Sequence, residues 1–289
     1  MNVARVIPFT FENQAKSKGH EIGGFKWSIR QVTDCDRLGS TKEHCTTVTC
    51  RALKRSRTFL WNCLVTVKLL PDASKRSTVE TRTCTGTLTR RLPAYHFHWT
   101  NPNQPNYAEI SIEVHESFSV DFSEAKNSLI EDPEDAVKVR IDGEDLWLSK
   151  KVLSYHSPYF SALFNRDFKE KNENNFEEKN VKLEEFLSFL EIVHTINLIV
   201  RFNTVEYLLK LSDLYQCKLV RLHCEEFLRT ATTSEVSLTR KLELADRYNL
   251  RGTLIGTIQK ISVDDLKRLY EENKLSDVAR DLILKRFLG

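Results

Sequence analysis

The run AVKVRIDGEDLWLSKKVLSYHSPYFSALF, residues 136–164, decides how the second half of this chain folds. Val137, Val139 and Ile141 alternate with polar neighbours, Asp142-Gly143-Glu144 interrupts them, and Leu146 and Leu148 resume the alternation. Two alternating segments around an Asp-Gly predict a β-hairpin. Ser157-Pro158 then signals a helix start, and Phe160, Leu163 and Phe164 supply its apolar stripe. The next residues, NRDFKEK (165–171), set a lone Phe168 among Arg166, Asp167, Lys169 and Glu170. At i, i+4 spacing Phe168 continues the series Phe160, Phe164, which makes it the last core residue of a helix. The competing reading is an exposed aromatic anchor ringed by polar groups, as at interface hot spots.

Beyond this run the pattern is almost wholly helical. A short strand is expected at 181–183. Apolar stripes then predict helices over 184–195, 205–215 (VEYLLKLSDLY), 219–228, 238–248, 254–261, 264–272 and 276–288. Upstream, the signal is β. Segments 25–32 (FKWSIRQV), 44–52, 59–70 (FLWNCLVTVKLL), 79–92 and 108–116 (AEISIEVHE) are rich in Val, Ile, Thr and aromatics. Ile110, Ile112 and Val114 face one way by alternation, and Ser111, Glu113 and His115 the other. Breaks fall at Gly23-Gly24, Leu38-Gly39-Ser40, residues 71–74 and the polar run 101–106. The expected architecture is therefore multidomain. An antiparallel β-sandwich occupies 1–120, a linking segment 121–135, an α+β unit 136–230, and a helical extension 231–289.

The totals narrow the function. A chain of 289 residues is long enough for about two cores. Residues 1–130 carry 18 Lys and Arg against 12 Asp and Glu, and the remainder 25 against 28, as expected of two modules with different surfaces. That imbalance is too mild for a nucleic-acid binder, and the basic cluster RALKRSR (51–57) reads as a solvated loop between strands. No apolar run reaches the roughly 18 residues of a membrane helix, and the N-terminus lacks a secretory apolar core. Neither membrane nor nucleic acid is an expected partner, and the expected location is cytoplasmic, nuclear or both. Seven cysteines, an odd number without CxxC spacing, suggest neither a disulfide framework nor a zinc site. His96 and His98 share one side of a strand but lack further convergent ligands. There is no GxSxG and no phosphate loop, and nine glycines serve cofactor cradling poorly. No metal, cofactor or catalytic residue is expected. Most aromatics of the β half belong to its core, but Tyr95, Phe97, Trp99 and Tyr107 flank the polar run 100–106 and are candidates to line a groove for an extended peptide.

The residues 136–164 resemble the opening of the BTB (POZ) domain: the hairpin with its glycine turn, "KKVL", and a second helix that starts "SPYF". The resemblance extends to about Leu228. Many proteins of that family are cullin-3 ubiquitin-ligase adaptors, whose segment after the second helix carries an apolar-x-acidic motif. Here that position is Phe168-Lys169-Glu170, so the resemblance implies that Phe168 and Glu170 bind cullin-3 and favours the exposed-anchor reading. It further implies a homodimer through the first helices, with Leu153, Tyr155, Tyr159 and Phe160 as candidate contacts. Counting back from Val152-Leu153, the family's strand-leading Asp falls on Ala136 and its His on Ser149. The Asp–Arg pair of transcription-factor members falls on Ala136 and Lys150, so that charged pocket is absent by this alignment. GGFKWSIRQV (23–32) and EISIEVHESF (109–118) are similar to the early and last strands of the MATH (TRAF-like) sandwich. The whole order resembles nematode MATH-BTB proteins, which implies a substrate-recruiting adaptor that brings an unknown protein to the ligase. The alternative is a homodimerising scaffold or transcriptional regulator without a ligase.

Overall fold

The computed structural model describes residues 3–8, 19–33, 44–71, 81–99, 107–165, 175–272 and 275–288. The chain divides into two compact units, Met1–Asp121 and Phe122–Gly289.

In the first unit, β1 (Val3–Pro8), β8 (Tyr107–Asp121), β5 (Phe59–Pro71) and β6 (Arg82–Thr89) form one sheet, in the order β1-β8-β5-β6. A second sheet runs β2 (His20–Ile22), β3 (Phe25–Thr33), β4 (His44–Ala52), β7 (Ala94–Trp99). Every pairing is antiparallel. The alternating residues meet in one core: Trp27, Ile29, Val48 and Cys50 from one sheet, Val65, Val67, Leu69, Ile110 and Ile112 from the other. Arrangement in two sheets around a shared apolar core is that of a β-sandwich. Gly23 and Gly24 turn β2 into β3 with φ of +58° and +82°, and a Cβ on Gly23 would stand 3.0 Å from Val114. Glycine alone meets both demands without strain. The strand β1 and the last five residues of β8 were not apparent in the sequence pattern, and β6 is shorter than the expected 79–92.

The second unit begins at Phe122, within the expected linking segment. Phe122 is fully buried and packs on His194, and its carbonyl accepts from the Trp147 N–H. The Asn127 amide donates to the Trp147 carbonyl at 3.0 Å. These ties make the segment part of the fold. The hairpin appears as the sequence predicts. β9 (Ala136–Ile141) pairs with β10 (Glu144–Ser149), joined by Asp142 and Gly143 at φ +52° and +80°. Two positive φ values at an Asp-Gly match a type I′ turn, whose twist suits a two-residue hairpin. The third strand, β11 (Asn175–Glu178), lies parallel to β9. The short strand expected at 181–183 is absent. Val181 and Leu183 are buried instead as the lead-in and first residue of a helix.

The helices are α1 (Lys150–His156), α2 (Pro158–Asn165), α3 (Leu183–Val193), α4 (Val205–Leu214), α5 (Lys218–Thr230), α6 (Leu238–Arg247), α7 (Arg251–Lys260), α8 (Val263–Glu271) and α9 (Asp277–Leu288). Tyr215, just past α4, is fully buried against α2 and α3, with ring centroids of Phe160, Phe189, Tyr159 and Phe186 at 4.8, 5.2, 5.4 and 5.9 Å. Tilted and offset aromatic contacts of this kind add to burial. No helix among the described residues is long and apolar enough to cross a membrane.

Candidate protein-interaction site

The α1–α2 elbow is set by two buried serines. Ser149 ends β10 and caps α1: its hydroxyl accepts from the Val152 N–H at 3.1 Å and donates to Asp135. The second Asp135 oxygen takes the Lys151 N–H at 2.7 Å. One buried carboxylate and one hydroxyl thus satisfy two of the four N–H groups that a helix start leaves open. Ser157 repeats the device for α2, accepting from the Phe160 N–H at 3.2 Å and donating to the Tyr215 carbonyl. Asp135 lies beside Ala136, the position on which the sequence alignment sets the family's acid. The acid at the foot of the hairpin is present, one residue before Ala136, in the 3-10 turn Pro133–Asp135. Ala136 opens the strand and is itself buried. The Lys150 ammonium meets the Glu134 carbonyl, not Asp135.

The four dimer candidates separate by exposure. Leu153 and Phe160 lie fully in the core, so they leave the set of surface contacts. The helical stripe that nominated them faces α3 and Tyr215, because those apolar side chains have nowhere drier to go. Tyr155 is 85% exposed and stands edge-on to His156. Tyr159 is half-buried and donates to Glu178 on β11 at 3.1 Å. Burial pushes the Tyr159 phenol and the Glu178 carboxyl above their ordinary values, with the Tyr159 hydrogen bond partly offsetting the latter.

Phe168 and Glu170 lie outside the described residues, in the connection 166–174. Both ends of that connection are described. Phe164 stacks on Phe160 at 5.8 Å and meets Phe176 of β11 at 5.5 Å. The aromatic contact ties the last turn of α2 to the first residues of β11 (Asn175–Glu178).

In the sandwich, the register of β7 explains a second correction. Tyr95 pairs with Val48 and Phe97 with Thr46, and both partners are fully buried. Directly opposed residues share a face, so Tyr95 and Phe97 point inward. Phe97 is a core residue and Tyr95 packs against the core. The Tyr95 hydroxyl is enclosed without a hydrogen-bond partner, and burial, aided by the thiols of Cys84, Cys63 and Cys50, raises it to about 12. The side chains of Trp99 and Tyr107 lie outside the described residues. His96 is exposed and meets the Thr47 hydroxyl through Nδ1 at 3.1 Å. Among the described residues no group of three His, Cys, Asp or Glu converges as a metal site. Cys50 and Cys63 are free thiols buried in the sandwich core, and burial pushes Cys50 far up, so it stays protonated.

One surface feature escaped the sequence reading. Between α3 and α4, Leu198, Ile199 and Phe202 are exposed, Phe202 at 66%. Its signal was the apolar run INLIVRF (196–202), which resembles a buried strand until the structure places it in a loop.

Comparison with known proteins finds a match for part of the second unit. Residues 133–232 match the BTB/POZ domain. The chain is 32% identical over 152 residues to "BTB and MATH domain-containing protein 38" of Caenorhabditis elegans, covering 51% of this chain and 39% of that protein. It is 27% identical over 179 residues to "BTB and MATH domain-containing protein 36" of the same organism, covering 61% and 54%. Human "Kelch-like protein 24" is 32% identical over 92 residues, 32% of this chain and 15% of that one. The chain spans about half the length, or less, of these curated relatives. Residues 133–232 match the BTB/POZ domain and are followed by further helices, and two of these three relatives are named BTB and MATH domain-containing proteins.

Proposed function

We propose that this BTB/POZ chain is a non-catalytic adaptor that recruits a protein substrate to a cullin-3 ubiquitin ligase. The observation that carries the reading is the pairing of a BTB/POZ domain over 133–232 with a separate β-sandwich unit upstream. In this reading the division of labour follows the units. The sandwich is a MATH-type substrate module, with Trp99 and Tyr107 as the remaining candidates for its groove. The BTB/POZ domain, 136–230 by the sequence pattern, carries the ligase contact and, through Tyr155 and neighbouring α1 residues, the second copy in a homodimer. The chain works in the cytoplasm, the nucleus or both.

The mechanism is proximity. Holding a target beside the charged enzyme converts a bimolecular encounter into a local one, at an effective concentration set by the tether. Phe168 fills an apolar pocket on cullin-3 and Glu170 meets a basic or hydroxyl group beside it. The clamp between Phe164 and Phe176 supports this role, because it fixes the two ends of the segment that presents them. Truncating such an anchor costs about 2 kcal/mol or more, roughly a thirtyfold loss of affinity. The test is titration of the cullin-3 N-terminal region against the full chain, with Phe168→Ala and Glu170→Lys. Each variant is expected to bind at least thirtyfold more weakly. Undiminished binding by both variants removes the motif from the interface. A dimeric chain that ignores cullin-3 altogether is the self-associating scaffold or transcriptional regulator instead.

A further inference from the structure

A cleft of about 210 Å³ opens where the end of α5 meets α6 and α7. Three cations line it, Arg229, Lys241 and Lys260, together with several threonines, and the Glu235 carboxylate is bonded to one of these, Thr232, through its N–H and hydroxyl. Lys241 is only 5% exposed. Its ammonium donates to the Ala231 carbonyl just past α5, which leaves two of its three N–H donors without a partner among the described residues. Lysine is rarely buried so deeply without a counter-charge. Burial, reinforced by the positive charge of Lys260, holds Lys241 below its ordinary value, and Glu235 offsets this only in part. The floor holds a second unsatisfied donor. Thr253 is 3% exposed, and its enclosed hydroxyl has no hydrogen-bond partner.

A capping role for Lys241 explains its bond to Ala231. It explains neither a second lysine on the same cleft nor the unpartnered Thr253 hydroxyl. Room is also provided: a Cβ built on Gly256, which lines the cleft, meets nothing within 4 Å. Arg229 is already paired with Glu226 at 2.6 Å and sits at the rim, so the two lysines supply the charge. Two lysine ammoniums on one cleft, where the Glu235 carboxylate is already bonded to the Thr232 N–H and hydroxyl, suit an oxyanion, since charge-assisted bonds to such a group are short and strong.

We propose that the α5–α6–α7 cleft binds a small phosphate, either the free ion or a small phosphomonoester. The anion sits between Lys241 and Lys260 and takes the Thr253 hydroxyl as a further donor. The site is independent of the adaptor reading, because it uses none of the residues assigned to cullin-3, the dimer or the substrate.

Calorimetric titration of the full chain, in chloride buffer at constant ionic strength, tests it with inorganic phosphate in one arm and glycerol 3-phosphate in the other. Saturable binding of one anion per chain is expected. Lys260→Ala, at an exposed position, weakens it at least tenfold. Gly256→Leu fills the cleft without changing charge and abolishes it. Circular dichroism confirms that both variants fold, and Lys241→Met serves as a third variant if it does too. Tighter binding of glycerol 3-phosphate identifies an ester as the ligand, and equal binding identifies the ion. Absence of saturable binding in both arms, or binding that Lys260→Ala and Gly256→Leu leave unchanged, overturns the proposal.

Discussion

The two units tie their buried polar side chains to different partners, mostly other side chains in the sandwich and mostly backbone groups in the helical unit. In the sandwich the Thr58 hydroxyl donates to Asp121 at 2.8 Å and Thr66 meets Thr85 at 2.9 Å, side chain to side chain, while the buried Thr46 hydroxyl has no partner and the indole N–H of Trp27 donates to the Ile22 carbonyl at 3.1 Å. In the BTB/POZ unit, Asp135, Ser149, Ser157, Ser188 and Ser212 are all buried, and each makes a hydrogen bond. The difference follows from the backbone. Paired strands satisfy each other's N–H and C=O groups, whereas every helix leaves about four of each open at its ends. A unit made of short helices must bring side-chain partners inside. It gains directionality from them, and it becomes sensitive to the loss of any one.

That contrast can be broken most forcefully at its two largest buried rings. Trp27→Ala and Tyr215→Ala are each expected to cost about 3–5 kcal/mol, read by chemical denaturation. Hydrogen exchange should locate the loss in β2–β4 for the first and in α2–α4 for the second. Tyr215→Phe sharpens the comparison. The Tyr215 hydroxyl is buried without a hydrogen-bond partner, so its removal should leave stability unchanged or raise it slightly.

Next comes the polar pin. Asp135→Ala leaves the Ser149 hydroxyl and the Lys151 N–H unpaired, and is expected to cost about 3 kcal/mol. Asp135→Asn, which keeps one acceptor, should recover part of that in the same denaturation assay. A comparable effect is expected from acid. Burial, with a contribution from His156, lowers His194 to about 4. The unfolded chain binds this proton near pH 6.5 and the folded chain only near pH 4. Stability is therefore full above 6.5 and falls as pH drops toward 4, by about 3 kcal/mol. Measured against His194→Gln, that slope should flatten; an identical slope in both proteins removes His194 as its source. Smallest is Gly143→Ala. At φ +80° an alanine is strained, and the hairpin should lose about 1 kcal/mol.

Legibility in the sequence followed the same division. The hairpin around Asp142-Gly143 and the helix at Ser157-Pro158 were readable because pattern and punctuation agree there. β11 was not, since Asn175–Glu178 (NFEE) contains a single apolar residue and so shows no alternation. Val181 and Leu183 imitated a strand because both point into the core, although they belong to a helix entrance. Asp135 was missed for a different reason. The strand begins at Ala136, but the acid that anchors it belongs to the preceding 3-10 turn, where strand periodicity carries no information. Tyr95 and Phe97 were assigned to a groove from their neighbours in sequence. Their face is fixed instead by pairing with β4, some fifty residues earlier, which a local pattern does not contain. For Leu153 and Phe160, periodicity identified an apolar stripe correctly but did not say which apolar surface it covers.

The ties made by Phe122, Asn127 and Asp135 have a practical consequence for dissection of the chain. A fragment started at the first hairpin strand would lack the ring on His194, the amide on Trp147 and the cap of α1, all in one cut. Expression boundaries drawn from strand and helix patterns alone would therefore yield a poorly behaved product, and an N-terminal truncation meant to isolate this half should begin ahead of residue 122.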